Sequence, residues 1–278
     1  MNPGGEKWTF VRHHPVAVYF LLTFAISWGA ALCVAAPHLL RGETLPQLTG
    51  ILMFPAMLLG PSLSGIILTR LVDGRSALRE LFSRMFQWRV GLPWYLVLLL
   101  PPLLVLAVLT CLEHLVSPVF APNRFWLGVL FGVPAGILEE IGWTGFAFKQ
   151  MRNAEKTFGA NVFAAFLLGV LWVTWHLPVI NFLGVATPHG EHWLSFFAAF
   201  GLAMTAIRVV ISWIFWNTGS LLLAQLMHVS STGALVIFGA SQVSSVQEAT
   251  WYGVYGGVLW AFVGALIVLR GKDRCRTQ

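Results

Sequence analysis

FWLGVLFGVPAGILEEIGWTGFAF, residues 125 to 148, decides the fold. As a helix rising about 1.5 Å per residue it reaches roughly 36 Å, more than a bilayer's hydrocarbon core of about 30 Å. Its only ionisable side chains are Glu139 and Glu140. A carboxylate near the bilayer centre costs about 2.5–3.5 kcal/mol on insertion scales, so two in succession mark a functional site. Gly128, Gly132 and Gly136 recur at intervals of four and lead to Glu140. Small residues at that spacing admit a second helix closely. Glu139 projects about 100° away from that stripe. The two carboxylates therefore have different jobs, one facing a packed interior and the other a cavity.

The rest of the 278-residue chain reads the same way. It is 57% apolar and 10% charged, with mean hydropathy +0.76. A soluble domain carries about 25% charged residues, so the chain is read as an all-α polytopic membrane protein forming one integral-membrane domain, 1–278. Eight stretches have spanning length: Val16–Ala36, Leu48–Thr69, Leu92–Val116, Phe125–Phe148, Gly159–Ile180, Trp193–Trp216, Ser220–Ala240 and Trp251–Leu269. The first is a retained span rather than a cleaved signal. Asn217-Thr218-Gly219 makes the sixth and seventh a tight hairpin. Of 17 lysines and arginines, 14 fall in the tails and the second and fourth loops. Arg41 and Arg124 lie on the opposite side, and Arg208 lies inside the sixth span. The asymmetry predicts eight spans with both termini cytoplasmic, and the compact loops suggest a bacterial plasma (inner) membrane. The same distribution explains the net charge of +6 without a nucleic-acid partner. Residues 73–91 interleave arginines with Leu78, Leu81, Phe82, Met85, Phe86 and Trp88, as a cytoplasmic amphipathic helix lying on membrane lipid would. Cys33, Cys111 and Cys275 are too scattered for a disulfide or a metal site. His189-Gly-Glu191-His192 reads as a solvated loop, and Gly253-x-x-x-Gly257 as helix packing.

Elimination leaves few deep polar groups: Glu139, Glu140, His176, His228 and Arg208. With a hairpin turning near Phe158-Gly159, Glu140 and His176 are each 18 residues from Phe158 and reach one depth. Residues 125–240 thus form the core helices of the site. A glutamate with two histidines can work in three ways. The carboxylate can deprotonate a water while imidazoles orient it and hold an oxyanion. The same Glu139, His176 and His228 can ligate zinc. They can also relay protons, although the external half shows few buried polar groups to continue such a path. The plainest alternative is a Glu–Arg208 pair tying helices together.

The motifs resemble the CAAX-protease and bacteriocin-processing (CPBP) family of intramembrane proteases, related to the Ras-converting CAAX prenyl endopeptidase. Its E-E-x-x-x-R motif reads Glu139-Glu140-Ile-Gly-Trp-Thr144 here, its aromatic-x-x-x-His motif Trp172-Val-Thr-Trp-His176, and its His-x-x-x-Asn motif His228-Val-Ser-Ser-Thr232. The resemblance implies that Glu139 activates water, that His176 orients it and that Glu140 supports. His228 and Thr232 would stabilise the oxyanion. The substrate would be a membrane-associated or lipidated peptide or protein, and no cofactor is expected, with zinc as the alternative. Thr144 stands where the motif has arginine and Thr232 where it has asparagine. Arg208 is the expected substitute for the missing cation. A non-catalytic binding or immunity protein using the same cavity is the rival reading.

Overall fold

The computed structural model describes residues 10–152, 157–183 and 188–275. Lys7, Lys156 and Arg276, counted above, lie outside them, as do the side chains of Arg270, Lys272, Arg274 and Cys275. Among the described residues there is no strand. Eight helices are long and apolar enough to cross a membrane, counted through short interruptions. They are α1 (Pro15–Leu39), α2 (Gln47–Arg84), α3 (Leu92–Leu115), α4 (Trp126–Met151), α5 (Phe158–Trp175), α6 (Gly190–Thr218), α7 (Leu221–Phe238) and α8 (Ser245–Leu269). The expected all-helical, eight-span architecture is therefore the observed one, with differences at element ends.

Helix α4 is gripped from two sides. On one side the glycine stripe seats α7. A β-carbon on Gly132 would lie 2.9 Å from the Gly233 nitrogen, and one on Gly136 would lie 2.6 Å from Val229 and 2.7 Å from the Gln225 carbonyl. Gln225 Nε2 also donates to the Ile137 carbonyl at 2.9 Å. On the other side Gly142 lies against Pro61 and Tyr19, and Ser62 Oγ donates to the Leu138 carbonyl at 2.6 Å. Helix α1 buries one narrow stripe, Tyr19, Thr23, Ser27, Ala31 and Ala35, at intervals of four. Its Ser27 Oγ donates to the Met57 carbonyl at 2.7 Å. Bilayer-exposed side chains such as Leu21 and Leu32 lie off that stripe.

Four expectations change. The second span breaks at Leu58, between Gln47–Met57 and Leu59–Leu68, where Pro61 has no amide to donate to the Met57 carbonyl, which Ser27 Oγ reaches instead. It then runs through a π turn, Thr69–Asp73, to Gly74, whose φ of 91° turns the chain into Gly74–Arg84. The expected 73–91 helix is thus helical only to Arg84, with Leu81 buried and Phe82, Phe86 and Trp88 exposed. The fifth span stops at Trp175 rather than Ile180, because Pro178 cannot continue an α-helix. The eighth begins at Ser245, six residues before Trp251, the expected start. Helices α6 and α7 form the expected hairpin, closed by Gly219 in the left-handed region at φ 67° and by the Ser220 cap of Leu223.

Candidate active site

Helix α4 places Glu139 and Glu140 on adjacent faces, and the next turn supplies a donor to each. Trp143 Nε1 donates to Glu139 Oε2 at 3.1 Å, and Thr144 Oγ1 donates to Glu140 Oε2. Both donors open a π turn, Trp143–Phe148, a distortion frequent at functional sites.

Glu140 is enclosed. Arg208 Nη1 lies 2.8 Å from each of its carboxylate oxygens, and His228 Nδ1 lies 2.6 Å from Oε1. Arg208, Glu140 and Thr144 have no exposed surface. The cation missing from α4 therefore arrives from α6, four to five helical turns along its length. The Arg208 guanidinium also lies 4.2 Å from the Trp172 ring centre, a cation–π contact in a desolvated setting. Breaking one partner of such a pair is severe because a buried charge is left alone.

Glu139 faces differently. Its Oε2 accepts from Trp172 Nε1 at 2.7 Å as well as from Trp143, while its buried Oε1 has no protein hydrogen-bond partner. Glu139 lines a cavity of about 60 Å³ together with Trp172, His176, His228 and Thr232. That space suffices for a few waters, each needing about 10–15 Å³ on this measure. The remaining wall is largely apolar: Phe54, Phe131, Phe200, Met204, Leu235, Val236 and Tyr252.

His176 caps the end of α5 rather than lying inside a span. Its Nδ1 is 2.8 Å from the Trp172 carbonyl. A carbonyl only accepts, so Nδ1 carries the hydrogen and Nε2 keeps its lone pair. The ring stacks on Phe54 at 6.4 Å and meets Phe200 edge-on at 5.4 Å. Trp172 joins the halves of the site, lying edge-on to His176 at 5.1 Å and His228 at 5.2 Å. The structure thus brings Glu139, His176, His228 and Thr232 to one cavity, with Glu140, Arg208 and Thr144 behind it. Among the described residues no three His, Cys, Asp or Glu side chains converge as a metal would require.

One sequence expectation is corrected. His189 is not a solvated loop residue: it is 1% exposed, and its Nε2 lies 2.9 Å from Oε2 of the fully buried Glu248. A second buried ionisable pair therefore exists, contrary to the elimination that kept only Glu139 and Glu140 deep. Trp143 was readable as the residue four beyond Glu139, whereas Tyr252 carries no local signal.

Eight candidate spans and a buried carboxylate–imidazole cavity define the class: a polytopic membrane protein with an ionisable cluster among its spanning helices. The family model described as Type II CAAX prenyl endopeptidase Rce1-like matches residues 121–234, the segment holding all nine site residues quoted from the sequence motifs and their donors. CAAX prenyl protease 2 of Methanococcus maripaludis is 24% identical over 273 residues, covering 92% of this chain and 94% of that protein. The two matches bear out the resemblance read from the motifs: the chain is similar to the Rce1-like CAAX endopeptidases over residues 121–234 and to a CAAX prenyl protease along most of its length.

Proposed function

We infer that the chain is an intramembrane endopeptidase in which Glu139 activates water against a peptide bond of a lipidated substrate. One observation carries this reading. One oxygen of Glu139 is clamped by two indole N–H groups, and the other is unpartnered beside a cavity shared with two imidazoles. The clamp fixes the carboxylate, and the second oxygen accepts the proton of an attacking water. His176 Nε2 accepts the water's other hydrogen and so aims its lone pair. General base catalysis of this kind is worth about 10²–10⁴-fold.

The tetrahedral oxyanion would be met from α7. His228 donates through Nδ1 to Glu140, which leaves Nε2 to donate to the oxyanion when the ring is protonated. The Thr232 hydroxyl adds a second donor. One such donor is worth about 2.7–4 kcal/mol. Arg208 neutralises Glu140, so His228 is held by a carboxylate whose charge is already compensated. Glu139 then passes its proton to the leaving amine as the C–N bond breaks. This sequence is written without a metal.

The name of the Methanococcus maripaludis relative suggests a substrate class. A prenylated cysteine followed by a short aliphatic C-terminal peptide suits a largely apolar cavity. Phe54, Phe131 and Leu235 give it an apolar lining.

The experiment is cleavage of an S-farnesylated fluorogenic peptide by the purified protein, before and after chelation. Wild type is expected to cleave in both states, and His176→Ala to lose most activity. Equal cleavage by wild type and His176→Ala contradicts the catalytic assignment. Chelation that abolishes activity, with recovery on adding Zn²⁺, contradicts the metal-free mechanism. Peptide binding with no cleavage favours the non-catalytic reading.

A further inference from the structure

The cavity has a wall outside the matched segment. Tyr252, on α8, is 5% exposed and lines the same space as Glu139, His176 and His228. Among the described residues none hydrogen-bonds its hydroxyl. The tyrosine hydroxyls Tyr19 and Tyr255 are instead sealed in the interior. Tyr252 and Thr232 are therefore the two hydroxyl-bearing side chains of the wall, from α8 and α7.

The Tyr252 ring is held in place. It meets Phe196 edge-on at 5.4 Å, packs 6.0 Å from Phe200, and tilts against Trp251 at 4.1 Å. One helical turn before it lies Glu248, fully buried and 2.9 Å from His189 Nε2. The His189 ring stacks on Phe196 at 3.8 Å with an interplanar angle of 11°. Its Nδ1 lies 3.3 Å from Asn181 Oδ1, in the segment that follows His176. Phe196 thus carries His189 on one face and Tyr252 at its edge, and Phe200 links the same group to the His176 ring. A buried ionisable pair rarely adds net stability over an apolar pair of the same size. Its placement beside this wall ties α8, α6 and the end of α5 in a single register.

We propose that Tyr252 is a substrate-binding residue of the cavity, its hydroxyl donating a hydrogen bond to a backbone carbonyl of the bound peptide, and that the buried Glu248–His189 pair positions the helix turn presenting it. The proposal rests on the hydrolytic reading for the identity of the peptide, and its test separates the two.

The full chain is placed in nanodiscs, and the probe is a fluorescent S-farnesylated peptide ending in Cys-Val-Ile-Met. Affinity is measured in the Glu139→Gln variant, with and without Tyr252→Phe. Loss of one hydrogen bond to a neutral acceptor weakens binding about two- to tenfold. The thermal transition of Tyr252→Phe is expected to match its parent. In the cleaving protein, KM rises by that factor and kcat stays within about twofold, as for uniform binding. Glu248→Gln gives part of the same loss alone and none on top of Tyr252→Phe. An additive loss overturns the positioning role of Glu248. Equal affinity with and without the Tyr252 hydroxyl overturns the proposal, whether or not the wild type cleaves. Hydroxyl-dependent binding by a wild type that does not cleave supports this site and counts against hydrolysis alone.

Discussion

Glu139 and Glu140 are neighbours in sequence, yet α4 delivers them to opposite kinds of place. On the α6–α7 side Glu140 has both oxygens paired, to Arg208, His228 and Thr144, with no exposed surface. On the cavity side Glu139 has one oxygen held by two indoles and one left without a protein partner. The difference follows from a rotation of about 100° between successive residues. The glycine stripe points at α7, so Glu140 is carried into packing, and Glu139 turns toward open volume. A paired, neutralised carboxylate organises the imidazole beside it. A carboxylate with a spare oxygen at a cavity suits the base role proposed for Glu139. The comparison also shows how the family pattern can shift: the cation expected from α4 comes from α6, and Thr144 takes over a hydrogen bond.

Substitutions break or sharpen this contrast in descending order. Arg208→Met strands the Glu140 charge and is expected to lower stability by about 3–5 kcal/mol, read as thermal unfolding by tryptophan fluorescence in detergent. Adding Glu140→Gln to it should recover most of that loss. A stable single variant would break the claim that Glu140 is a compensated buried charge. Thr144→Val removes a hydrogen bond to a charged group and should cost about 1.5–3 kcal/mol in the same measurement. Gly136→Ala crowds Val229 and the Gln225 carbonyl, and overpacking of this kind costs about 1–3 kcal/mol. It should also disturb the Glu140–His228 contact next along the helix face, visible as reduced cleavage. Lys149→Ala removes a pair to Asp73 whose lysine is 40% exposed, and should change stability by less than about 1 kcal/mol. A larger loss there would mean that the Asp73–Gln150 contacts at that helix end depend on the cation.

Much of the fold was legible because a bilayer imposes long apolar runs. All eight spans, the Asn217–Gly219 hairpin and the glycine face of α4 follow from spacing alone. The meeting of Glu140 with Arg208 was readable by elimination, since few charges lie deep and a buried acid needs a partner. Other features required three-dimensional contacts. His189 and Glu248 sit in stretches that resemble a loop and a span end, and 59 residues separate them. Burial of that pair depends on α8 starting early and on Phe196 accepting the imidazole ring. Tyr252 looks like any aromatic of a lipid-facing helix until the cavity is seen. His176 was expected within a span, whereas Leu177-Pro178 ends the helix there.

The most direct measurement pairs cleavage rate with thermal stability for Glu139→Gln and Glu140→Gln, side by side. The account predicts that Glu139→Gln unfolds at the wild-type temperature while losing about 10²-fold or more of its rate. Glu140→Gln is predicted to unfold at a lower temperature. A Glu139→Gln protein that cleaves the farnesylated peptide as fast as wild type would contradict the division of labour between the two carboxylates.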